Sequence, residues 1–119
     1  MTFGWANAMA QALESEGLDS QLLFEKSDIP YQTSVDPSSR LKTRKASRLY
    51  RLAVEASGNP SFGLKVGVCL QPMTLYTLGY SIFVSSNLHE VCEKLERYFE
   101  LVSDNASHKL SKEGDLYKL

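Results

Sequence analysis

Four aromatic side chains are the first candidates for chemistry in this sequence, and two of these four are tyrosines with hydroxyl groups. Tyr76, Tyr80 and Phe83 recur at i, i+4 and i+7, which places them on one face if the segment is a helix. A buried tyrosine must give its hydroxyl a partner, which can be protein, water or a ligand. Together with Trp5, these rings predict either core packing or the wall of a small-molecule pocket, so Trp5, Tyr76 and Tyr80 are candidate ligand-binding residues.

A cluster of basic residues is the second candidate. Arg44, Arg48 and Arg51 follow helical spacing and would share one face of a helix. Such a face can bind phosphate or nucleic acid, dock on a partner protein or another domain, or stay solvated and pair with nearby acids. We favour the pairing, because residues 1–36 carry a net charge of −5 and residues 37–65 carry +6. The same three arginines are the candidates for docking a partner.

Signatures of catalysis are absent from the sequence. It has no glycine-rich phosphate loop, no GxSxG elbow, no HExxH and no CxxC. His89 and His108 are separated by a predicted helix and lie among polar residues, while Cys69 and Cys92 are interpreted as free thiols in a loop and in a core. We therefore predict no catalytic residue, no metal and no cofactor, with a small enzyme as the third class of function.

Composition and charge describe an ordinary globular domain. The chain has 119 residues, 43% hydrophobic and 23% charged, and its 13 basic against 14 acidic residues leave a net charge of −1. A chain-wide positive field for nucleic acid is therefore excluded. The long uncharged run over 66–89 is broken by polar residues, and the N-terminus has no basic segment. These features predict a cytoplasmic protein with no membrane partner.

Hydrophobic periodicity predicts a predominantly helical chain of about five helices, besides a short helical segment over 60–66 that Gly67 would close. Gly17 and Gly58 are expected to end helices, and Asp19 and Asn87 to cap them. The segment 73–85 is predicted to be the most buried, and the apolar stripe of the last helix to form core. The predicted helices span 3–16, 20–26, 43–57, 73–85 and 87–103.

The end of the chain predicts a β-hairpin. Residues 106–110 and 116–119 flank a turn signal at 112–115 and are expected to form its two strands. A lone hairpin is marginal in water without a third strand or a packed face. The fold class expected is therefore α+β, mostly helical with a C-terminal hairpin, and the chain reads as a truncated portion of a larger domain, cut in the middle of a sheet.

Several stretches of the sequence resemble a known family. They are LAVEASGNPSFGL at 52–64, LGY at 78–80, SSNLHE at 85–90 and LERY at 95–98. These residues are similar to the N-terminal regulatory domain of AraC-type transcriptional regulators, in the branch described as arabinose-binding-like. The resemblance extends from about Trp5 to Leu119 and rests on structural residues, so it implies no particular ligand.

The resemblance implies a bacterial, cytoplasmic regulator. Residues 1–119 would be one effector-sensing domain, with an unidentified small-molecule effector and a homodimer in the full-length protein. DNA would be bound only by a C-terminal helix-turn-helix domain that these residues lack. Regulation would be a population shift, in which the effector binds one arrangement better than another. The alternative function is a protein–protein interaction module that uses the basic face of helix 43–57.

Overall fold

The computed structural model describes residues 2–31, 39–104 and 106–119, and their contacts divide the chain into two compact units. One unit ends at Leu70 and the other begins at Gln71. The described residues form six α-helices and one two-stranded antiparallel hairpin. The predicted fold class, α+β and mostly helical with a hairpin at the C-terminal end, is confirmed.

The first unit contains four helices, whose ends follow local signals. Gly17, with a φ of 72°, ends the first helix, and the Leu18 amide donates to the Leu13 carbonyl at 3.0 Å. The Asp19 side chain accepts from the Leu22 amide at 3.0 Å and begins the second helix, while Gly58 ends the third. These helices are α1 (Phe3–Ser15), α2 (Ser20–Lys26), α3 (Thr43–Ser57) and α4 (Phe62–Cys69).

A hydrophobic core holds the first unit together. α1 packs against α2 and α4, and α3 contacts the same two helices. The large side chains with the least exposure come from three of these helices: Met9, Leu13, Leu49 and Phe62 are all fully buried. Small residues such as Ala8 and Ala12 on α1 let the neighbouring helices approach closely.

The prediction that Gly67 closes a helix is wrong. α4 continues past Gly67 to Cys69, because nothing at this position forces the chain to leave the helix and its φ is not in the left-handed region. A glycine inside a helix costs stability but does not by itself terminate it.

The second unit contains shorter elements. A 3₁₀ turn (Pro72–Leu75) leads into α5 (Tyr76–Phe83), and α6 (Leu88–Tyr98) follows and ends in a second 3₁₀ turn (Phe99–Leu101). The Asn87 side chain accepts from the Glu90 amide at 2.9 Å, as its capping role predicts. α5 packs against the first 3₁₀ turn and against α6.

Burial in the second unit differs from the sequence-based expectation. On the segment predicted to be most buried, Phe83 is 76% exposed and Leu78 and Gly79 are the buried positions. On the apolar stripe predicted to be core, Leu88 is 76% exposed, and of that stripe Val102 alone is buried. Both predictions of core are therefore wrong. The physical reason is that the described contacts of α6 are made mainly with α5 and the second 3₁₀ turn, which cover only part of its apolar stripe.

The predicted hairpin is present, with its second strand where the sequence places it and its first strand later than predicted. Its strands are β1 (Ser111–Glu113) and β2 (Leu116–Lys118), and Glu113 pairs with Leu116 across a two-residue turn. Gly114, with a φ of 62°, supplies the left-handed conformation that such a tight turn needs. The first strand was predicted over 106–110, but the residues that pair with β2 are Ser111–Glu113, directly before the turn.

Replacing Gly79 by alanine tests the tight packing inside the second unit. A Cβ on Gly79 would collide with the backbone carbonyl of Pro72, so Gly79→Ala should lower the free energy of unfolding by about 1–3 kcal/mol. Gly67→Ala is the matched control, because a Cβ there meets nothing within 4 Å and alanine favours a helix. Urea unfolding followed by circular dichroism measures both, and equal stability of the two variants would contradict this packing.

Candidate ligand-binding groove

The candidate ligand residue Trp5 takes part in the packing of the first unit. Its half-buried ring stacks on Tyr50 with centroids 6.3 Å apart, and Tyr50 meets the Phe62 ring edge-on at 6.5 Å. Burial raises the pKa of the Tyr50 hydroxyl. A ligand role for Trp5 stays a prediction.

The other two candidates, Tyr76 and Tyr80, lie in the second unit. Tyr76 is half-buried with a buried hydroxyl oxygen, and its φ of 53° is in the left-handed region that a bulky residue rarely adopts. Tyr80, one turn further along α5, is 54% exposed. The three candidates for one pocket therefore come from two units, and a binding role for the tyrosines also stays a prediction.

The basic face of α3 is exposed, and a lysine of the basic segment 37–65 pairs with an acid of the acidic segment 1–36. Arg44, Arg48 and Arg51 are all exposed along α3. Lys45 Nζ lies 2.6 Å from Asp28 Oδ2 and donates to the Asp28 carbonyl at 2.7 Å. The hydrogen bond from Lys45 to the Asp28 carboxylate and the charge of Lys45 lower the pKa of the Asp28 carboxyl, with a smaller contribution from the charge of Arg48. Pairing between the basic segment 37–65 and the acidic segment 1–36 is thus present at Lys45 and Asp28.

A groove of about 450 Å³ lies in the first unit, beside α1. Its volume falls within the usual range for small-molecule sites. Ala6 and Ala10 on α1 contribute single methyl groups, which leave the space open between larger neighbours. The apolar lining consists of Phe3, Ala6, Ala10, Phe24 and Pro30.

Polar side chains line the same groove. Asn7, Gln11 and Glu14 recur at i, i+4 and i+7 on α1, and all three are exposed to solvent. Tyr31, shortly after α2, completes the polar lining. The groove thus combines two amides, a carboxylate and a phenol with an apolar floor.

Glu14, Ser20 and Tyr31 form a hydrogen-bonded cluster at this groove. The Tyr31 hydroxyl donates to Glu14 Oε1 at 2.6 Å, and Ser20 Oγ lies 3.0 Å from the same oxygen and 2.9 Å from the Tyr31 hydroxyl. The hydrogen bond to Glu14 raises the pKa of Tyr31, because losing the phenol proton would remove the bond and place two negative charges together. The cluster links α1 to the start of α2 and to Tyr31.

The Tyr31 ring is also held by packing. It meets the buried Phe24 ring edge-on, with centroids 5.2 Å apart and planes at 84°. Tyr31 therefore has a fixed position, with its hydroxyl on Glu14 and its ring against the apolar floor.

Sequence reasoning missed the groove residues. The available signal was the polar row Asn7, Gln11 and Glu14 beside the apolar face of the first helix. Such a row is also what an ordinary solvated helix face shows, so its spacing alone does not distinguish the two. The contribution of Tyr31 depends on the turn after α2, which periodicity does not describe.

A smaller cavity of about 200 Å³ lies in the second unit. Leu88, His89 and Cys92 of α6 line it together with Tyr117, whose ring centroid is 4.7 Å from that of His89. Its described walls are mostly apolar. Over the described residues, no group of three or more His, Cys, Asp or Glu side chains is arranged to hold a metal ion. The same part of the chain has no helix both long enough and apolar enough to span a membrane.

The Glu14–Tyr31 hydrogen bond should stabilise the first unit in a pH-dependent way. A double-mutant cycle of Glu14→Ala and Tyr31→Phe should give a coupling of about 0.5–1 kcal/mol at pH 8, a modest value because both groups meet solvent. The raised pKa of Tyr31 means that this stability is full below the ordinary value of 10.0 and is lost as pH rises through the folded value.

Urea unfolding between pH 7 and 11 measures this coupling. The control cycle combines Tyr31→Phe with Glu25→Ala on the exposed part of α2, whose carboxylate accepts from Gln21 at 3.3 Å. That cycle should show coupling near zero. Coupling of equal size in both cycles, or coupling that survives deprotonation of the phenol, would contradict the assignment.

Comparison with known proteins identifies the family. Residues 17–119 match the family described as the arabinose-binding domain of AraC transcription regulators, N-terminal. Neither a curated protein nor a solved structure matches the chain. The match includes α2 to α6 and the hairpin, whereas α1 precedes it. Since the matched residues make up most of the sequence, the chain belongs to the family of N-terminal arabinose-binding domains of AraC transcription regulators.

Proposed function

We propose that this chain senses a small-molecule effector and that the groove beside α1 is the effector site. The observation that carries the proposal is the groove itself, in which the Glu14–Tyr31 hydrogen bond of 2.6 Å lies beside an apolar floor. An apolar cavity with a few convergent polar groups is the usual form of a ligand site. The family supports a ligand-binding regulatory role, and in this proposal the chain is not an enzyme.

The proposed mechanism is a population shift. A ligand in the groove would touch α1 on one side and Phe24 and Tyr31 on the other, so it would favour the arrangement in which these parts are together. In a full-length regulator this bias would alter how a homodimer presents its C-terminal DNA-binding domains. The size of the effect is limited by the difference in the ligand's affinity for the two arrangements.

The earlier candidates define a competing site. Tyr76 and Tyr80 could line a pocket in the second unit, and Trp5 could contribute to one in the first. The groove has the stronger support, because its volume suits a small molecule and its lining combines apolar side chains with a hydrogen-bonded carboxylate and phenol.

Chemical-shift mapping of the intact chain discriminates these sites. Three probes of different charge cover the main ligand classes: L-arabinose, phenethylamine and phenylacetate. We expect at least one to shift the side-chain amide signals of Asn7 and Gln11, which line the groove, and Ala10→Phe should reduce that shift at least fivefold by filling the floor. Perturbations confined to Tyr76 and Tyr80, or no shift at Asn7 and Gln11 with any probe, would overturn the groove as effector site.

The exposed arginines of α3 favour a second candidate function, a protein–protein interaction module. Replacing Arg44, Arg48 and Arg51 together by glutamate reverses the charge of that face without touching buried residues. If the face docks a partner or a second copy, assembly measured by light scattering should be lost while the circular dichroism spectrum is unchanged. Unchanged assembly would exclude this use of the face.

A further inference from the structure

We infer that the groove takes a small organic cation, with its ammonium group on the Glu14 carboxylate and its apolar body on the floor. This inference rests on the proposed function and specifies the ligand class of the same groove. It is carried by the charge, the hydrogen bonds and the walls of the groove.

Charge is the first argument. Glu14 is the one charged side chain among the described residues that line the groove. The described hydrogen bonds to its carboxylate come from the hydroxyls of Tyr31 and Ser20. Hydroxyl donors are neutral, so they orient the carboxylate without cancelling its charge. A ligand with a positive charge supplies what these donors do not.

Neighbouring ion pairs support the same conclusion. Two lysines near this part of the chain are engaged with other acids, since Lys65 pairs with Glu16 and Lys45 pairs with Asp28. Residues 1–36 carry a net charge of −5 and residues 37–65 of the same unit carry +6, so the local charge of Glu14, and not the net charge of the unit, selects the sign of the ligand. A carboxylate or phosphate ligand would meet repulsion at Glu14.

The geometry of Glu14 leaves an oxygen for the ligand. Both described hydrogen bonds reach Oε1, which holds the carboxylate in place from one side. An incoming N–H donor would bind Oε2. The Tyr31 ring packs edge-on against Phe24, and both rings line the groove, where the apolar body of the ligand would contact them.

The floor argues against a sugar. Ala6, Ala10 and Phe24 offer methyl and ring carbon atoms, which leave the hydroxyls of a polyol without partners on that side. Asn7 and Gln11 provide donors and acceptors but do not select for charge. The arabinose in the family description does not bear on α1, because the match begins at residue 17 and Asn7, Gln11 and Glu14 precede it.

A matched pair of probes tests the inference. Phenethylamine and 2-phenylethanol have the same ring and chain length and differ in an ammonium against a hydroxyl group. Titration of the intact chain with each, followed through the side-chain amides of Asn7 and Gln11, should give at least tenfold tighter binding of the amine. Glu14→Gln should weaken the amine about tenfold and the alcohol at most about twofold, because the glutamine keeps an acceptor oxygen for Tyr31 and Ser20 but has no charge.

A second variant separates a local contact from the general field. Glu25→Gln removes the same charge from the exposed side of α2, outside the groove lining, and should change amine binding less than twofold. Circular dichroism of both variants verifies that they fold. Equal binding of amine and alcohol, tighter groove binding of phenylacetate or L-arabinose, or equal effects of the two variants would overturn the inference while leaving the groove as effector site. If no probe shifts the side-chain amide signals of Asn7 and Gln11, both the inference and the groove as effector site are overturned.

Discussion

The packing of α1 in the first unit is the constraint on which the groove depends. One side of this helix is fully buried through Met9, Ala12 and Leu13, which fix its rotation and its depth against α2 and α4. The opposite side is therefore also fixed, and it carries Asn7, Gln11 and Glu14. A helix that was held less firmly could not keep these three polar side chains at a constant distance from Tyr31, because rotation by a fraction of a turn would move them away from it.

The turn after α2 is the second part of the same construction. The buried Ser27 hydroxyl donates to the Leu23 carbonyl at 2.9 Å, Asp28 adopts a left-handed φ of 57°, and the Ile29 amide returns to the Phe24 carbonyl at 3.0 Å. Lys45 of α3 holds Asp28 through both its carbonyl and its carboxylate. An exposed ion pair contributes little to stability. Its value here is positional, because this turn leads directly to Tyr31.

The features that local chemistry determines could be predicted from the sequence. The glycine at the end of α1, the Asp19 cap of α2 and the Asn87 cap of α6 all act as predicted, because each depends on a few neighbouring residues. The full span of α3, 43–57, was predictable for the same reason. The AraC family, predicted from structural residues, is confirmed over residues 17–119.

What could not be predicted depends on contacts between distant residues. An apolar stripe shows that a side of α6 can be buried, but not which elements pack on it, and Leu88 is exposed. The groove presents the same difficulty in reverse. Glu14 and Tyr31 are 17 positions apart and meet through a turn whose left-handed residue is an aspartate, and no periodic pattern encodes that meeting.

The two kinds of contact at the groove also suit it to the proposed switching role. Beneath the floor, Phe24 and the buried face of α1 belong to one apolar core. At the surface, Tyr31 joins α1 through the hydrogen bond of its hydroxyl to Glu14, in contact with solvent. A solvent-exposed hydrogen bond contributes less to stability than buried apolar packing does, and it exchanges readily with water. In the proposed function, a ligand that replaces or reinforces this hydrogen bond would bias the position of Tyr31 relative to α1, and such a bias allows a binding event to act as a signal.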